Sequence, residues 1–141
     1  MSFEDCTIRV RYADTDQMGV VYYANYLRYF EAGRTEFIRA KGMSYRDFES
    51  GFQLMLPVVE ALVSYRTPAR YDDLVTVETT LAEARRATAR FEYRIVRGDD
   101  LVATGHTVHA CLDLAGRVQR MPKALLDRIT AGEPAAEKTI A

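Results

Sequence analysis

The chain has 141 residues, a length typical of one compact domain, and nothing in it suggests a division into two. Hydrophobic residues make up 48% and charged residues 28%, as in a soluble globular protein rather than a disordered one. Because 19 lysines and arginines nearly balance 20 aspartates and glutamates, the net charge gives no argument for nucleic acid as a partner. Its 2 cysteines make no disulfide framework.

Two further features of the sequence bear on its compartment. The first five residues are acidic and lack the apolar stretch of a secretory signal. No run approaches the roughly 18 apolar residues that a membrane-spanning helix needs. We therefore expect a cytoplasmic protein that does not insert into a membrane, and we expect no metal or other cofactor.

The first predicted element is a strand over Thr7–Tyr12, where polar and apolar residues alternate. Turn-forming residues 13–19 follow, and a helix is predicted from about Tyr23 to Lys41. Gly42 supplies its C-terminal stop. Apolar and small residues recur along this helix at the spacing of one buried face. They are Tyr26, Phe30, Gly33 and Phe37.

The next part of the chain predicts one short helix and then strands. Ser44 and Asp47 form a capping-box pattern that opens a helix ending at Gly51. Four long strands follow, and the first contains Pro57, which requires an edge position or a bulge. The predicted strands are Leu54–Tyr65, Asp73–Ala84, Ala87–Arg97 and Leu101–Leu114.

Turns and a last helix complete the predicted elements. Residues 98–100 predict a hairpin between the last two strands, and residues 113–117 predict a further turn. Pro122 begins a helix to about Ile129, and a frayed tail is predicted over about 132–141.

One long helix and five strands predict an α+β fold, a single antiparallel sheet packed on one helix in one domain over residues 1–141. Such a sheet leaves an edge and a face to be covered, so we expect the chain to associate.

The turn before the long helix is the segment with the most chemical information. It places Asp16 and Gly19 directly before a helix N-terminus, where unpaired N–H groups and the helix dipole favour a developing oxyanion. Asp16 could activate water as a general base or attack a carbonyl to form a mixed anhydride, and both routes stay open. The alternative interpretation is that Asp14 and Asp16 only shape a turn.

A longer pattern surrounds this turn and extends over roughly residues 7–129. It consists of Tyr12, Asp14-Thr15-Asp16, Gly19-Val20-Val21-Tyr22, Asn25-Tyr26, Arg34-Thr35-Glu36, Pro68-Ala69-Arg70, Asp72-Asp73 and Met121-Pro122. The pattern resembles the 4-hydroxybenzoyl-CoA thioesterase family, especially its branch of short acyl-CoA thioesterases associated with the Tol–Pal system. The resemblance implies the hotdog fold, a five-stranded sheet wrapped around one long central helix. It also implies a hydrolase that cleaves an acyl-CoA thioester to the free acid and CoA.

The resemblance further implies roles for single residues. The family's catalytic carboxylate corresponds to Asp16, and the backbone amide that polarises the carbonyl corresponds to Tyr23. Position 23 is often His in the Tol–Pal-associated branch, so the acyl preference of this chain is expected to differ. The residues expected to contact substrate are Tyr12, Gly19, Val21, Tyr22, Asn25 and Tyr26. Tyr12, at the end of the first strand, orients Asp16, lines the pocket or belongs to the core.

The carrier and the acyl group are less well defined. Arg85 and Arg86, near a strand junction, are candidates for binding the phosphates of CoA. The thioester is carried by CoA or by acyl carrier protein, and the acyl group is a short aliphatic or an aryl group. The hotdog resemblance implies a homodimer with pockets between subunits, and we expect a dimer of such dimers.

The sequence also contains other candidate residues and leaves other functions open. Glu31 on the long helix is a second candidate carboxylate. His106 and His109 are three residues apart and therefore point to opposite faces of a strand, so they cannot share a metal. His109 and Cys111 share a face but lie too far apart for a catalytic pair. A hotdog hydratase or dehydratase and a non-catalytic acyl-binding or partner-binding module remain the alternatives.

Overall fold

A computed structural model describes residues 6–133 of the chain. The predictions for the first five residues and for residues 134–141 of the tail fall outside this range. The strands are β1 (Cys6–Arg9), β2 (Leu54–Met55), β3 (Val58–Tyr65), β4 (Leu74–Ala84), β5 (Thr88–Arg97), β6 (Asp100–Ala110) and β7 (Leu112–Asp113). The helices are α1 (Asn25–Ala40), α2 (Tyr45–Asp47) and α3 (Lys123–Thr130), with a 3-10 turn at Tyr12–Asp14 and a π-helical turn at Phe48–Phe52.

Five strands form one antiparallel sheet in the order β1-β4-β5-β6-β3, and β2 pairs with β7 in a second, two-stranded sheet. The predicted hairpin at residues 98–100 joins β5 to β6 and pairs Arg97 with Asp100. The predicted α+β architecture with a five-stranded antiparallel sheet is thus confirmed. Helix α1 packs on β1, β3, β4 and β5.

The contact between α1 and the sheet is made by aromatic rings and one glycine. Phe30 stacks on Tyr93 with ring centroids 4.3 Å apart, and Phe37 meets Phe91 edge to face at 5.6 Å. Burying a phenylalanine contributes roughly 1.5–3 kcal/mol relative to exposure. A Cβ at Gly33 would lie 2.6 Å from a methyl group of Val77, so only glycine lets the helix approach β4 this closely.

Two predicted boundaries near the N-terminus are wrong. Strand β1 ends at Arg9 rather than Tyr12, because the chain turns away into the 3-10 turn at Tyr12–Asp14. Helix α1 begins at Asn25 rather than Tyr23, because residues 23 and 24 form a turn before the first regular helical residue.

Pro57 divides the long strand predicted over Leu54–Tyr65 into β2 and β3, as its missing N–H requires. A bulge lies between Val58 and Glu60, and β3 is an edge strand. The predicted edge position and bulge are both confirmed. The strand exposes much of its apolar surface at Val58, Val59, Leu62 and Tyr65.

The capping box at the start of α2 is confirmed, because Ser44 donates its N–H to Asp47 at 2.9 Å and its hydroxyl accepts the Asp47 N–H at 3.3 Å. Near the other end of the chain, Lys41 and Glu133 form an ion pair of 3.1 Å. That pair holds the chain after α3 against the end of α1. Among residues 6–133, no helix combines the length and apolar composition needed to cross a membrane.

Candidate active site

The loop before α1 folds as a tight turn between Asp16 and Val20. The N–H of Asp16 donates to the Val20 carbonyl at 2.8 Å, and the N–H of Gly19 donates to the Asp16 carbonyl at 2.9 Å. Gly19 has a φ of +82°, in the left-handed region that favours glycine. The loop is held in place because Val21 donates its N–H to the Ala69 carbonyl at 2.8 Å.

The Asp16 carboxylate closes this turn with one of its two oxygens. Oδ1 accepts the N–H of Met18 at 2.9 Å and lies 3.5 Å from the N of Val20. Oδ2 accepts no hydrogen bond from any residue between positions 6 and 133. The half-buried Asp16 side chain therefore keeps one oxygen available to a ligand.

Asp16 lines an open cleft of about 220 Å³. One wall is formed by the loop and the start of α1, including Val21, Tyr23 and Tyr26, and the opposite wall is formed by residues 65–68. This second wall is fixed to the sheet, because the N–H groups of residues 66 and 67 donate to the Val102 carbonyl at 2.9 and 3.1 Å. The cleft is thus mostly aromatic and aliphatic, with a carboxylate at one wall.

Unpaired amides lie where the loop enters α1. The Tyr22 carbonyl accepts the N–H of Asn25 at 2.8 Å, so the helical hydrogen bonds begin there. The N–H groups of Tyr23 and Ala24 find no acceptor in the described part of the chain. Helix N-termini carry partial positive charge, and these two donors extend that charge toward the loop. A carbonyl oxygen that gains negative charge would be stabilised at this position.

Asp14, unlike Asp16, is buried and fully engaged in structure. Its carboxylate accepts the Arg11 N–H at 3.1 Å, the Tyr29 hydroxyl at 2.9 Å and the Arg28 guanidinium at 3.1 Å. Burial acts to raise the pKa of Asp14, but these three donors outweigh it and hold the pKa below its usual value. Asp14 therefore anchors the 3-10 turn to α1, and both of its carboxylate oxygens accept hydrogen bonds within the protein.

Most of the predicted substrate residues lie in or next to the same loop, but only some of them line the cleft. Val21 and Tyr26 line the cleft, and Gly19 forms the tip of the turn. Tyr22 is exposed and packs against Tyr23, with ring centroids 4.7 Å apart. Asn25 is committed to the backbone, since its side-chain amide donates to the carbonyl of residue 14 at 2.9 Å.

Tyr12 lies elsewhere. Its side chain is 79% exposed and packs edge to face against Tyr71, with centroids 5.7 Å apart. It neither lines the cleft nor belongs to the core, and the predicted contact with the Asp16 carboxylate is not observed. Strand β1 ends at Arg9, so Tyr12 starts a turn instead of ending a strand. Its predicted contact with the substrate stays a prediction.

Arg85 and Arg86 are also not near the cleft of their own subunit. They form the turn between β4 and β5, at the end of the sheet where β3 begins with Val58. The cleft lies at the other end of β3, beyond Tyr65, which is about 23 Å away at 3.3 Å per residue. Arg85 is paired with Glu83 at 3.3 Å.

Glu31 lies on a different surface of the molecule. It lines a groove of about 480 Å³ between β1 and α1, together with Arg9 and Glu36, and this groove shares no lining residue with the cleft of Asp16. Although the groove is larger, its buried carboxylate is Asp14, both of whose oxygens already accept hydrogen bonds.

The two histidines point to opposite faces of β6, as predicted. His106 contacts Glu60 at 2.7 Å on the outer face, whereas His109 is buried. Neither lines the cleft. Within residues 6–133, no three of the side chains of His, Cys, Asp and Glu lie close enough together to hold a metal ion.

Sequence reasoning missed the residues of the second wall, Tyr65 and Arg66. Tyr65 ends β3, and its hydroxyl donates to the Tyr23 carbonyl at 3.0 Å. Arg66 is exposed at the cleft and has no ion pair among the described residues. The only available signal was their position just before Pro68-Ala69-Arg70, a segment already singled out for its resemblance.

Comparison with known proteins connects this geometry to a family. The thioesterase-like superfamily matches the chain over residues 10–129. The chain belongs to this superfamily. Its acyl-CoA thioesterase relative YbgC of Haemophilus influenzae is 38% identical over 107 residues, covering 76% of this chain and 79% of that protein.

Further relatives also support membership of this superfamily. The 1,4-dihydroxy-2-naphthoyl-CoA hydrolase of Thermosynechococcus vestitus is 36% identical over 116 residues, 80% of this chain and 77% of that protein. The crystal structure of protein TT1821 from Thermus thermophilus aligns with a TM-score of 0.85 at 38% identity, covering 90% of this chain and 97% of that one. The predicted enzyme class, a thioester hydrolase, is confirmed by these relatives.

Proposed function

We propose that the protein hydrolyses an acyl-CoA thioester to the free acid and CoA, with Asp16 as the reacting carboxylate. The observation that supports this most is that Asp16 and Tyr23, at the start of α1, line one cleft of about 220 Å³. Thioester hydrolysis uses a carboxylate on one side of the substrate carbonyl to activate the nucleophile. It uses unpaired amides on the other side to stabilise the oxyanion.

In the proposed reaction, the thioester oxygen accepts hydrogen bonds from the N–H groups of Tyr23 and Ala24. Asp16 Oδ2 removes a proton from a water molecule, whose oxygen attacks the carbonyl carbon. The tetrahedral intermediate then expels the thiolate as the carbonyl re-forms, and the thiolate takes up the proton. In the second route, Asp16 attacks the carbonyl itself, the thiolate leaves, and water cleaves the resulting anhydride.

These two routes are separable by one turnover in ¹⁸O-labelled water with enzyme in excess over substrate. Direct attack transfers label to the Asp16 carboxylate whenever water adds to its side of the anhydride. A general base leaves Asp16 unlabelled and places the label in the acid product. Mass spectrometry detects this label in the peptide containing residue 16, and its presence there identifies direct attack.

The size of the cleft favours a compact acyl group. Pockets for drug-sized ligands are about 300–1,000 Å³, so a cleft of about 220 Å³ takes the acyl end of the substrate alone. Its tyrosines suit an aryl or a short aliphatic group equally. Membership of the 4-hydroxybenzoyl-CoA thioesterases, or of their Tol–Pal-associated branch, stays a prediction.

Within one subunit, Arg66 and Arg70 lie nearer the cleft than Arg85 and Arg86, and we propose that they bind the phosphates of CoA. Arg66 lines the cleft, and the guanidinium of Arg70 comes within 3.9 Å of where a Cβ on Gly19 would lie. Neither has an ion pair with another residue between positions 6 and 133. Guanidinium groups bind phosphate through two parallel hydrogen bonds. Acyl carrier protein, whose prosthetic arm bears one phosphate, remains the alternative carrier.

The site supports an assembly of subunits. The cleft lies at the end of β3, an edge strand whose Val59 is 61% exposed and Leu62 49% exposed. An unpaired, apolar edge strand is suited to pairing with a second copy of itself. We propose a dimer through β3, with dimers pairing further into a tetramer; light scattering at several concentrations tests both.

The two alternative functions have less support. A hydratase or dehydratase would need a histidine at the cleft, but His106 and His109 lie elsewhere. A non-catalytic binding module would use the cleft without turnover. Release of free thiol from acyl-CoA, followed with a thiol reagent, separates a hydrolase from both.

The decisive experiment compares Asp16→Asn with Asp113→Asn. Asp113 closes a turn of the same form, because its Oδ1 accepts the N–H groups of the second and fourth following residues, Ala115 and Arg117, both at 2.9 Å. In both variants the asparagine Oδ1 can still accept the N–H groups of the turn, but only Asp16 lines the cleft. We expect Asp16→Asn to lose 10²-fold or more in kcat, typical of an acid–base group, with Asp113→Asn near wild type. Equal activities would move the chemistry away from Asp16.

A further inference from the structure

We infer that Tyr65 is a positioning residue that fixes the amides at the start of α1 in the direction needed to bind the oxyanion. This inference rests on the proposed function, since it concerns how the proposed oxyanion site is held. The contact that carries it is the hydrogen bond from the Tyr65 hydroxyl to the Tyr23 carbonyl, 3.0 Å long.

Without this contact the Tyr23 carbonyl is only weakly restrained. The Tyr23 carbonyl also accepts the N–H of Tyr26, but at 3.4 Å, and the Ala24 carbonyl accepts the N–H of Leu27 at 3.2 Å. Such distances exceed the usual 2.9–3.0 Å of an N–H···O bond. The Tyr65 hydroxyl therefore supplies the shorter of the two hydrogen bonds that restrain this carbonyl.

Peptide planarity carries the restraint to the donors. The carbonyl of Tyr23 and the N–H of Ala24 belong to one trans peptide and point in opposite directions, so anchoring one aims the other. The preceding peptide is anchored in the same way, because the Tyr22 carbonyl accepts the N–H of Asn25 at 2.8 Å. Both unpaired N–H groups thus belong to peptides whose carbonyls are tied down. A bond to the carbonyl also polarises the peptide, which strengthens its N–H as a donor.

Tyr65 is itself well held for this task. It ends β3, where it pairs with Ala103 of β6, and its ring meets Tyr26 edge to face at 5.3 Å. The sheet therefore fixes the backbone of Tyr65, and Tyr26 supports its ring. Removing only the hydroxyl would leave both contacts in place, which makes Tyr65→Phe a clean test.

The test measures kcat and KM of Tyr65→Phe with an acyl-CoA that the wild type hydrolyses. A hydrogen bond worth about 0.5–1.5 kcal/mol corresponds to a factor of about 2–12. We expect kcat to fall by such a factor with KM unchanged, because the oxyanion forms only after the substrate is bound. Tyr71→Phe is the matched control, since Tyr71 is exposed and does not line the cleft, and it should match the wild type.

A second measurement uses a trifluoromethyl ketone analogue of the acyl-CoA, which binds as a tetrahedral species. Its inhibition constant should rise in Tyr65→Phe by the same factor by which kcat/KM falls. A fall in kcat together with that rise supports the inference. An unchanged kcat, or a raised KM at constant kcat, overturns it, because the second result would mean that the hydroxyl contacts substrate. Failure of the proposed function is recognised separately, as full activity of Asp16→Asn.

Discussion

The stability of the fold should depend on pH through one buried histidine. His109 ends a chain of hydrogen bonds that begins at Arg34 and passes through Tyr93 and Thr107. Its Nδ1 donates to the Leu56 carbonyl at 2.9 Å, because a carbonyl can only accept, so Nε2 accepts the Thr107 hydroxyl at 2.8 Å. A proton on Nε2 would reverse this chain and turn the Tyr93 hydrogen toward the guanidinium.

The size of the effect follows from the pKa. Burial, aided by the positive charge of Arg34, lowers the pKa of His109 from 6.5 to about 4, although the bond to Leu56 acts in the opposite direction. At about 1.36 kcal/mol per pKa unit, this difference corresponds to about 3 kcal/mol. Because the folded state has the lower pKa, this stability is complete above about pH 6.5 and is lost as the pH falls toward 4.

Urea denaturation followed by circular dichroism, at one protein concentration and at several values between pH 7.5 and 4.5, measures this loss. The free energy of unfolding should fall by about 1.4 kcal/mol per pH unit below about pH 6. In His109→Asn this slope should flatten, even though the variant is less stable at neutral pH. His106→Asn, altered on the outer face, serves as the control and should keep the slope. A His109→Asn slope equal to that of the wild type would refute the reasoning.

Two further predictions concern the site and its support. Asp14→Asn should lower the free energy of unfolding by roughly 2–3 kcal/mol in urea titrations, because an amide NH₂ group would face donors that now bind a carboxylate. The folded state lowers the pKa of Asp14, so the loss in free energy of unfolding should be complete above about pH 4 and should shrink below it. A loss that stays constant with pH would contradict this prediction. Arg66→Gln should raise KM for an acyl-CoA several-fold but leave KM for the matching acyl-N-acetylcysteamine, which lacks phosphates, unchanged. Arg85→Gln is its control, and equal effects of Arg66→Gln on both substrates would exclude phosphate binding.

The sequence allowed prediction of features that depend on local chemistry. Pro57 cannot donate a hydrogen bond, so an edge position or a bulge was predictable from its presence, although the break into β2 and β3 was not predicted. Ser44 and Asp47 determine the start of α2 through two short-range hydrogen bonds. The same holds for Asp16, whose turn is closed by residues within four positions of it.

Features that depend on distant parts of the chain were not predictable. Tyr12 matched the strand pattern, but its actual position is set by the 3-10 turn that Asp14 anchors to α1. Tyr65 is 42 residues from Tyr23 in sequence, and no periodicity indicates that their side chain and carbonyl meet. Arg85 fitted a strand junction, yet which end of the sheet that junction occupies depends on the strand order.

The recurrence of one turn at two places has a practical use for engineering. At residues 16–20 and 113–117, the same hydrogen bonds join an aspartate, a glycine three residues later and the residue that follows. The two intervening residues differ completely between them, Gln-Met in one and Leu-Ala in the other. The side chains of these intervening residues therefore do not determine the turn. One of them, Met18, lines the cleft. Position 18 is a natural starting point for libraries that retune acyl selectivity while leaving the backbone of the loop intact.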